Sequence, residues 1–286
     1  MPGGVPGTSK APEALREAGL YTRLAGLGAV DDGSVLPGRY VDDYVPASAR
    51  LRNQDTIVDH ALRLAGRIES LLDAGRAPLV LGGDCSLLVG TSLALARRGR
   101  HGLVHMDGHT DFRHPGNSDV CASLAGEDLA SVLGLHWPAV ADLEGRAPYV
   151  ASEDVVHVGC RDDDEHLDEV RRLLAGTITS SEVLRAGVFA ATKRVRSVVT
   201  RTGIAGYWLH VDVDVLDPRH LPAVDSPSPG GLAPDDLADL LADLAPDALG
   251  AQVTVFDPDL DPDGTYAELL TEVIVAGLGA LGSSRR

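Results

Sequence analysis

Three short clusters carry the chemistry that this chain could perform: Gly82-Gly83-Asp84-Cys85-Ser86, Asp107-Gly-His109-Thr-Asp111 and His210-Val-Asp212-Val-Asp214-Val-Leu-Asp217-Pro218. Each follows a short apolar run. Carboxylates, an imidazole and a thiol brought to one place are donors for a pair of divalent cations, and such a pair turns a shared water into a hydroxide near neutral pH. Side chains two apart on an extended segment share a face, so Asp212 and Asp214 are expected to reach the same metal pair. The same spacing applies to Asp107, His109 and Asp111. A single Asp at a strand end is usually a helix cap or a loop residue, but three clusters at three strand ends point to a two-metal hydrolase.

The elements that must position these clusters are legible in the hydrophobic pattern. The runs Ala77–Leu81, Leu103–Met106, Val155–Val158, Tyr207–Val211 and Gln252–Phe256 are too short for helices and read as buried strands. Between Asp55 and Ala74, the residues Ile57, Val58, Ala61, Leu62, Ala65, Ile68 and Leu72 fall on one helical stripe that ends at Gly75. Strands alternating with helices predict an α/β fold with a mostly parallel sheet covered on both faces. In such folds ligands bind beyond the carboxyl ends of the strands, and all three acidic clusters fall there.

At 286 residues and 44% hydrophobic content, the chain is expected to form one domain over residues 1–286. With 42 acidic against 25 basic residues, its formal charge of -17 predicts no nucleic-acid or anionic-membrane partner and favours small or cationic substrates. No apolar run is expected to span a bilayer, and Met1-Pro-Gly-Gly-Val lacks a targeting pattern, so a cytoplasmic location is expected. Cys85, Cys121 and Cys160 are widely spaced and suggest neither disulfides nor a zinc ribbon, and two of them read as plain buried thiols.

Taken together, the three motifs resemble those of the arginase, agmatinase and formiminoglutamase family, the ureohydrolases. The resemblance extends from Gly4-Val-Pro-Gly through Ala14-Leu-Arg-Glu-Ala-Gly19, Gly159-Cys-Arg161-Asp162 and Ser181-Glu182-Val183 to Ala223-Val-Asp-Ser-Pro-Ser-Pro-Gly230-Gly231-Leu232. It implies a three-layer α/β/α sandwich, two manganese ions and hydrolysis of a guanidino-type carbon–nitrogen bond. It also implies that one ion takes Cys85, Asp107, Asp111 and Asp212 and the other Asp107, His109, Asp212 and Asp214, with Asp111 holding the hydroxide. The family assembles as trimers or hexamers, which makes a homo-oligomer the expectation.

Departures from the family's motifs are as informative as the matches. Cys85 stands where the family usually has His, and a thiolate favours zinc or iron over manganese. The proton-shuttling His matches Ala125 in Leu124-Ala125-Gly126, leaving His114 or Glu127 as candidates for that role. The Glu that orients the guanidinium matches Val255, and Asp257, two residues on, either replaces it or starts an Asp-Pro turn. Arg113 falls near the position that grips a substrate carboxylate, and Asp164 and Glu165 near the one that receives an amino group. Relatives also carry a strand before the early glycine-rich loop, so either that strand is absent or the chain begins upstream of Met1. The expected function is amidinohydrolysis of a small amino-acid-like compound; the alternative is a relative without turnover that serves as a metal-binding or interaction subunit.

Overall fold

The computed structural model describes residues 7–285. Strands β1 (Leu79–Leu81), β2 (Gly102–Met106), β3 (Val155–Val158), β4 (Gly176–Ile178), β5 (Tyr207–Asp212) and β6 (Gly250–Thr254) form one sheet in the order β1-β6-β5-β2-β3-β4, and every pairing is parallel. β2, β3, β5 and β6 are buried along their whole length. That burial is why they read as unbroken apolar runs rather than as alternating ones.

The two-residue period of the strands divides their side chains between two cores. On one face Val104, Met106, Val156, Val158, Leu209 and Val211 join Leu237, Leu240 and Leu241 of the helix Pro234–Leu244 and Leu270 and Ile274 of the helix Thr265–Leu278. On the other face Leu103, Val155 and Trp208 join Ala61, Leu64, Ala65 and Ile68 of the helix Gln54–Asp73 and Leu88 and Leu93 of the helix Leu87–Ala96. The result is a three-layer α/β/α sandwich, as expected. This second face also carries a polar row: β3, β2, β5 and β6 align His157, His105, His210 and Gln252 side by side, all with no exposed surface.

Several boundaries differ from the sequence reading. The last strand stops at Thr254 because Val255 has a left-handed φ of 74°, which a strand does not accommodate. β4 was not anticipated, since Gly176-Thr-Ile178 is too short to register as a run. Leu62 lies outside the buried stripe of its helix at 38% exposure, whereas Leu64, two residues on, is buried. The early segment forms a helix at Ala11–Glu17, while residues 4–6 of the quoted resemblance lie outside the described residues.

Contrary to the expectation of no spanning segment, Thr265–Arg285 is long and apolar enough to cross a membrane by length and composition. Its α-helix ends at Leu278, and Ala267, Leu270, Val273, Ile274 and Leu278 are buried in the first core, which accounts for its apolarity. Leu240, fully buried in the same core, gives a test of this packing. Leu240→Ala should cost about 2–5 kcal/mol in chemical denaturation, whereas a change below about 0.5 kcal/mol would mean that the helix pair is not packed this way.

Candidate metal centre

The three motifs meet because each strand ends in a tight turn at the same edge of the sheet. After β1, Gly82 and Gly83 take φ of 103° and 69° and reverse the chain. Gly82 N donates to Val253 O (3.0 Å), and Gly83 O accepts from Val255 N (2.9 Å), which clamps this turn to the end of β6. The left-handed Val255 is thus part of the clamp. Cys85 is fully buried, with Sγ 2.9 Å from Asp212 Oδ2 and 3.2 Å from Thr254 Oγ1.

After β2, Asp107 Oδ1 accepts from His109 N at 2.6 Å, and Asp111 adopts a left-handed φ of 46°. After β5, Asp212 Oδ1 accepts from Asp214 N at 2.8 Å and opens a short 3-10 turn, Val213–Val215. The expectation that these pairs converge by strand alternation is therefore corrected, because turns closed by the acidic side chains themselves bring them together. Gly108 N donates to Asp214 Oδ1 at 2.9 Å, and a Cβ at Gly108 would lie 2.6 Å from Asp214 O. Only glycine permits that approach.

Donor atoms of Cys85, Asp107, Asp111 and Asp212 all lie within 4.8 Å of one another, as do those of Asp107, His109 and Asp214. Asp107 belongs to both groups; Asp212 belongs to the first. Burial, followed by the neighbouring carboxylates, pushes Asp107 and Asp212 well above the usual carboxylate range, and burial with Asp128 and Asp214 beside it does the same to Asp111. Burial and the Asp212 carboxylate raise the Cys85 thiol. Burial acts most strongly on Asp214, to raise it, but His109, whose Nδ1 is 2.9 Å away, together with the backbone of Gly108 and the Asp212 side chain, holds Asp214 low. The same bond lifts His109 to about 9. Several carboxylates in one buried pocket repel one another unless a cation joins them, so this donor set fits divalent metal. His109, with a third of its side chain exposed, and the partly exposed Asp111 mark the open side.

The remaining candidates are placed as follows. Asp164 accepts from Thr110 N (2.9 Å), Thr110 Oγ1 (2.6 Å) and His166 N (2.9 Å), so its carboxylate braces the loop between His109 and Asp111. Arg113 and Glu165 pair with each other at 2.8 Å on the surface. His114 is buried, its Nδ1 accepting from Gly116 N and its Nε2 3.3 Å from Glu169. Glu127 is also buried, held by Ala122 N at 2.8 Å and by His136 Nε2 at 2.8 Å. Neither is a solvated loop residue. Ala125 sits in a one-turn 3-10 segment, and Asp257 accepts from Asp259 N to start the turn Pro258–Leu260.

Two features escaped the sequence reading. Arg161 is buried and donates to the carbonyls of Gly159 (3.0 Å), Asp214 (2.9 Å) and Ser228 (2.6 Å), tying the loops after β3 and β5 together. Its place directly after a strand, within the Gly159-Cys-Arg161-Asp162 segment of the family resemblance, marked the position but not this role. Asp128, fully buried beneath the site, lies in a stretch with no motif to single it out.

Comparison with known proteins gives the chain its family. The Arginase family profile matches residues 3–279. Arginase of Brevibacillus brevis is 28% identical over 283 residues, covering 96% of this chain and 92% of that protein. Arginase of Bacillus caldovelox is 32% identical over 231 residues, covering 79% and 76%. The native Bacillus caldovelox arginase structure superposes with a TM-score of 0.84 at 29% identity, covering 96% of this chain and 92% of that one. Proclavaminate amidino hydrolase of Streptomyces clavuligerus superposes with a TM-score of 0.69 at 25% identity, covering 99% and 87%. By profile, sequence and fold, this chain belongs to the arginase family of hydrolases.

Proposed function

We propose that the chain is a metal-dependent amidinohydrolase that cleaves a guanidino-type carbon–nitrogen bond in a small, amino-acid-like substrate. The observation that carries this reading is the convergence of Cys85, Asp107, Asp111 and Asp212 with Asp107, His109 and Asp214 at one strand edge. Two divalent ions held there would supply a hydroxide at neutral pH. Asp107, common to both donor groups, would bridge. Asp111, on the open side, accepts a hydrogen bond from the attacking water and keeps its lone pair towards the planar guanidinium carbon. Manganese is the metal that the family resemblance favours, and Cys85 favours zinc or iron. Assembly as a trimer or hexamer in the cytoplasm belongs to the same reading.

A second reading, metal binding without turnover, draws on what stands in place of the missing groups. Ala125 carries no proton, Glu127 is fixed by His136, and Asp257 is committed to its turn. Arg113 and Glu165 neutralise each other and must part before either can hold a substrate carboxylate or amino group. Asp164 acts in our reading by positioning Thr110 rather than by receiving substrate.

Urea or ammonia release from a panel of guanidino and formimino compounds, in the presence of manganese, zinc, nickel or iron, should show turnover with at least one pair. A full metal complement with no release from any compound would favour the second reading. Asp111→Asn should lower the observed turnover at least about a hundredfold. Cys85→His should raise manganese affinity, and unchanged metal content and turnover would remove Cys85 from the ligand set. Asp164→Ala, which removes three accepted hydrogen bonds, should weaken metal binding about tenfold in a metal titration. A raised KM with normal metal affinity would instead assign Asp164 to the substrate.

A further inference from the structure

The helix Ser180–Ala186 meets the helix Val188–Val199 at Gly187, whose φ of 85° turns the chain into a corner. Phe189, at 78% exposure, is the most exposed large apolar side chain among the described residues, and Leu184 is 55% exposed just before the turn. Lys193 follows Phe189 by one helical turn and shares its face. Arg194 pairs with Glu182 at 3.1 Å and Arg196 with Asp247 at 2.6 Å, but the exposed Arg185 and Lys193 form no ion pair among the described residues. An aromatic ring and a leucine held in water beside two unpaired cations have the composition of an interface anchor.

The adjacent helix is its electrical opposite. Val188–Val199 carries three bases and no acid, whereas Pro234–Leu244 carries four acids and no base. The two lie side by side, joined by Thr192 Oγ1 donating to Asp243 Oδ2 at 2.9 Å. Asp236 Oδ2 accepts from Ala233 N at 3.3 Å and so closes the start of its own helix. That leaves Asp235 and Asp239, one turn apart and both exposed, with no ion pair among the described residues. One side of the molecule thus presents two unpaired cations around an apolar anchor and, next to them, two unpaired carboxylates.

Charge selects what covers the corner. With 42 acids against 25 bases, the chain as a whole repels nucleic acid and anionic lipid, so two local cations do not make it a polyanion binder. A partner that is acidic only where it touches fits better, and the neighbouring helix of another copy is such a surface. Corner against corner would set cation on cation, and two Pro234–Leu244 helices face to face would set acid on acid, so both like-to-like contacts are disfavoured. Corner against acidic helix satisfies both.

We propose that Leu184, Arg185, Phe189 and Lys193 dock on the Asp235 and Asp239 face of a second copy of this chain. The contact is head to tail, so each copy uses its corner on one neighbour and its acidic face on the other. Such contacts close into rings, and a pair alone would leave one corner and one acidic face open, so the closed assembly holds three or more copies. This gives the assembly read above its contacts, and it requires neither metal nor turnover.

The test is sedimentation velocity at micromolar chain concentration, with metal content measured on the same samples. Wild-type chains should sediment as particles of three or more copies. A corner variant, Phe189→Glu with Lys193→Glu, and a face variant, Asp235→Asn with Asp239→Lys, should each weaken association at least about tenfold and keep the wild-type metal content. Mixed in equal amounts, the two variants should form a one-to-one pair, because the intact corner of one meets the intact acidic face of the other. Lys193 is one of only two lysines in the chain, so carbodiimide coupling of wild-type protein mixed from light and heavy isotope-labelled chains should join it to Asp235 or Asp239 of another copy. A monomeric wild-type chain, variants that keep the wild-type particle size, dissociated variants that do not pair on mixing, or the absence of mixed-isotope Lys193 peptides would each overturn the proposal. None of these results bears on the metal centre, whose failure would show instead as lost metal in the wild-type chain.

Discussion

Mutual repulsion among buried carboxylates is the constraint around which this structure is organised. Asp107, Asp111, Asp212 and Asp214 converge at the carboxyl edge of a parallel sheet, and among the described residues His109 offsets them directly, through Asp214. Away from the site, the buried Asp154 by contrast meets Arg100 and Arg201. At the strand tips no lysine or arginine side chain among the described residues does that job, and Arg161 spends its donors on backbone carbonyls. A divalent cation is the group that turns this cost into binding energy.

The scaffold makes the convergence possible through geometry rather than through strength. β1, β6, β5 and β2 run parallel and deliver their ends to one edge, and the turns that follow are closed by the ligands' own oxygens. Gly108, the left-handed Asp111 and Val255, and the Asp164 brace on Thr110 are local departures from ordinary backbone that bring side chains within reach of a common ion. Two left-handed non-glycine residues, Asp111 and Val255, thus lie at this edge, above the two apolar cores.

Much of this was legible in the sequence, for identifiable reasons. Five strands announced themselves because burial on both faces leaves no polar interruption, and the three motifs carried side chains whose joint presence has few structural uses. The short β4 and the exact end of β6 were not legible, the first because three residues make no pattern, the second because the backbone at Val255 is set by a clamp from Gly83 far away in sequence. Leu62 was misplaced because apolar spacing alone does not distinguish the edge of a stripe from its flank. The roles of Asp164, Glu127 and Asp257 depend on partners such as Thr110, His136 and Asp259, and local residue type identifies only the last as a turn. The histidine row is the largest omission: His105, His157 and His210 are unremarkable singly and become a unit only through strand register.

The most direct measurement of the central claim is anomalous diffraction from crystals equilibrated with manganese or zinc. The account predicts two anomalous peaks per chain, one bounded by Cys85 and Asp107 and the other by Asp107, His109 and Asp214. Crystals with no peak at this edge, in which Asp107, His109 and Asp214 turn away from one another, would contradict it.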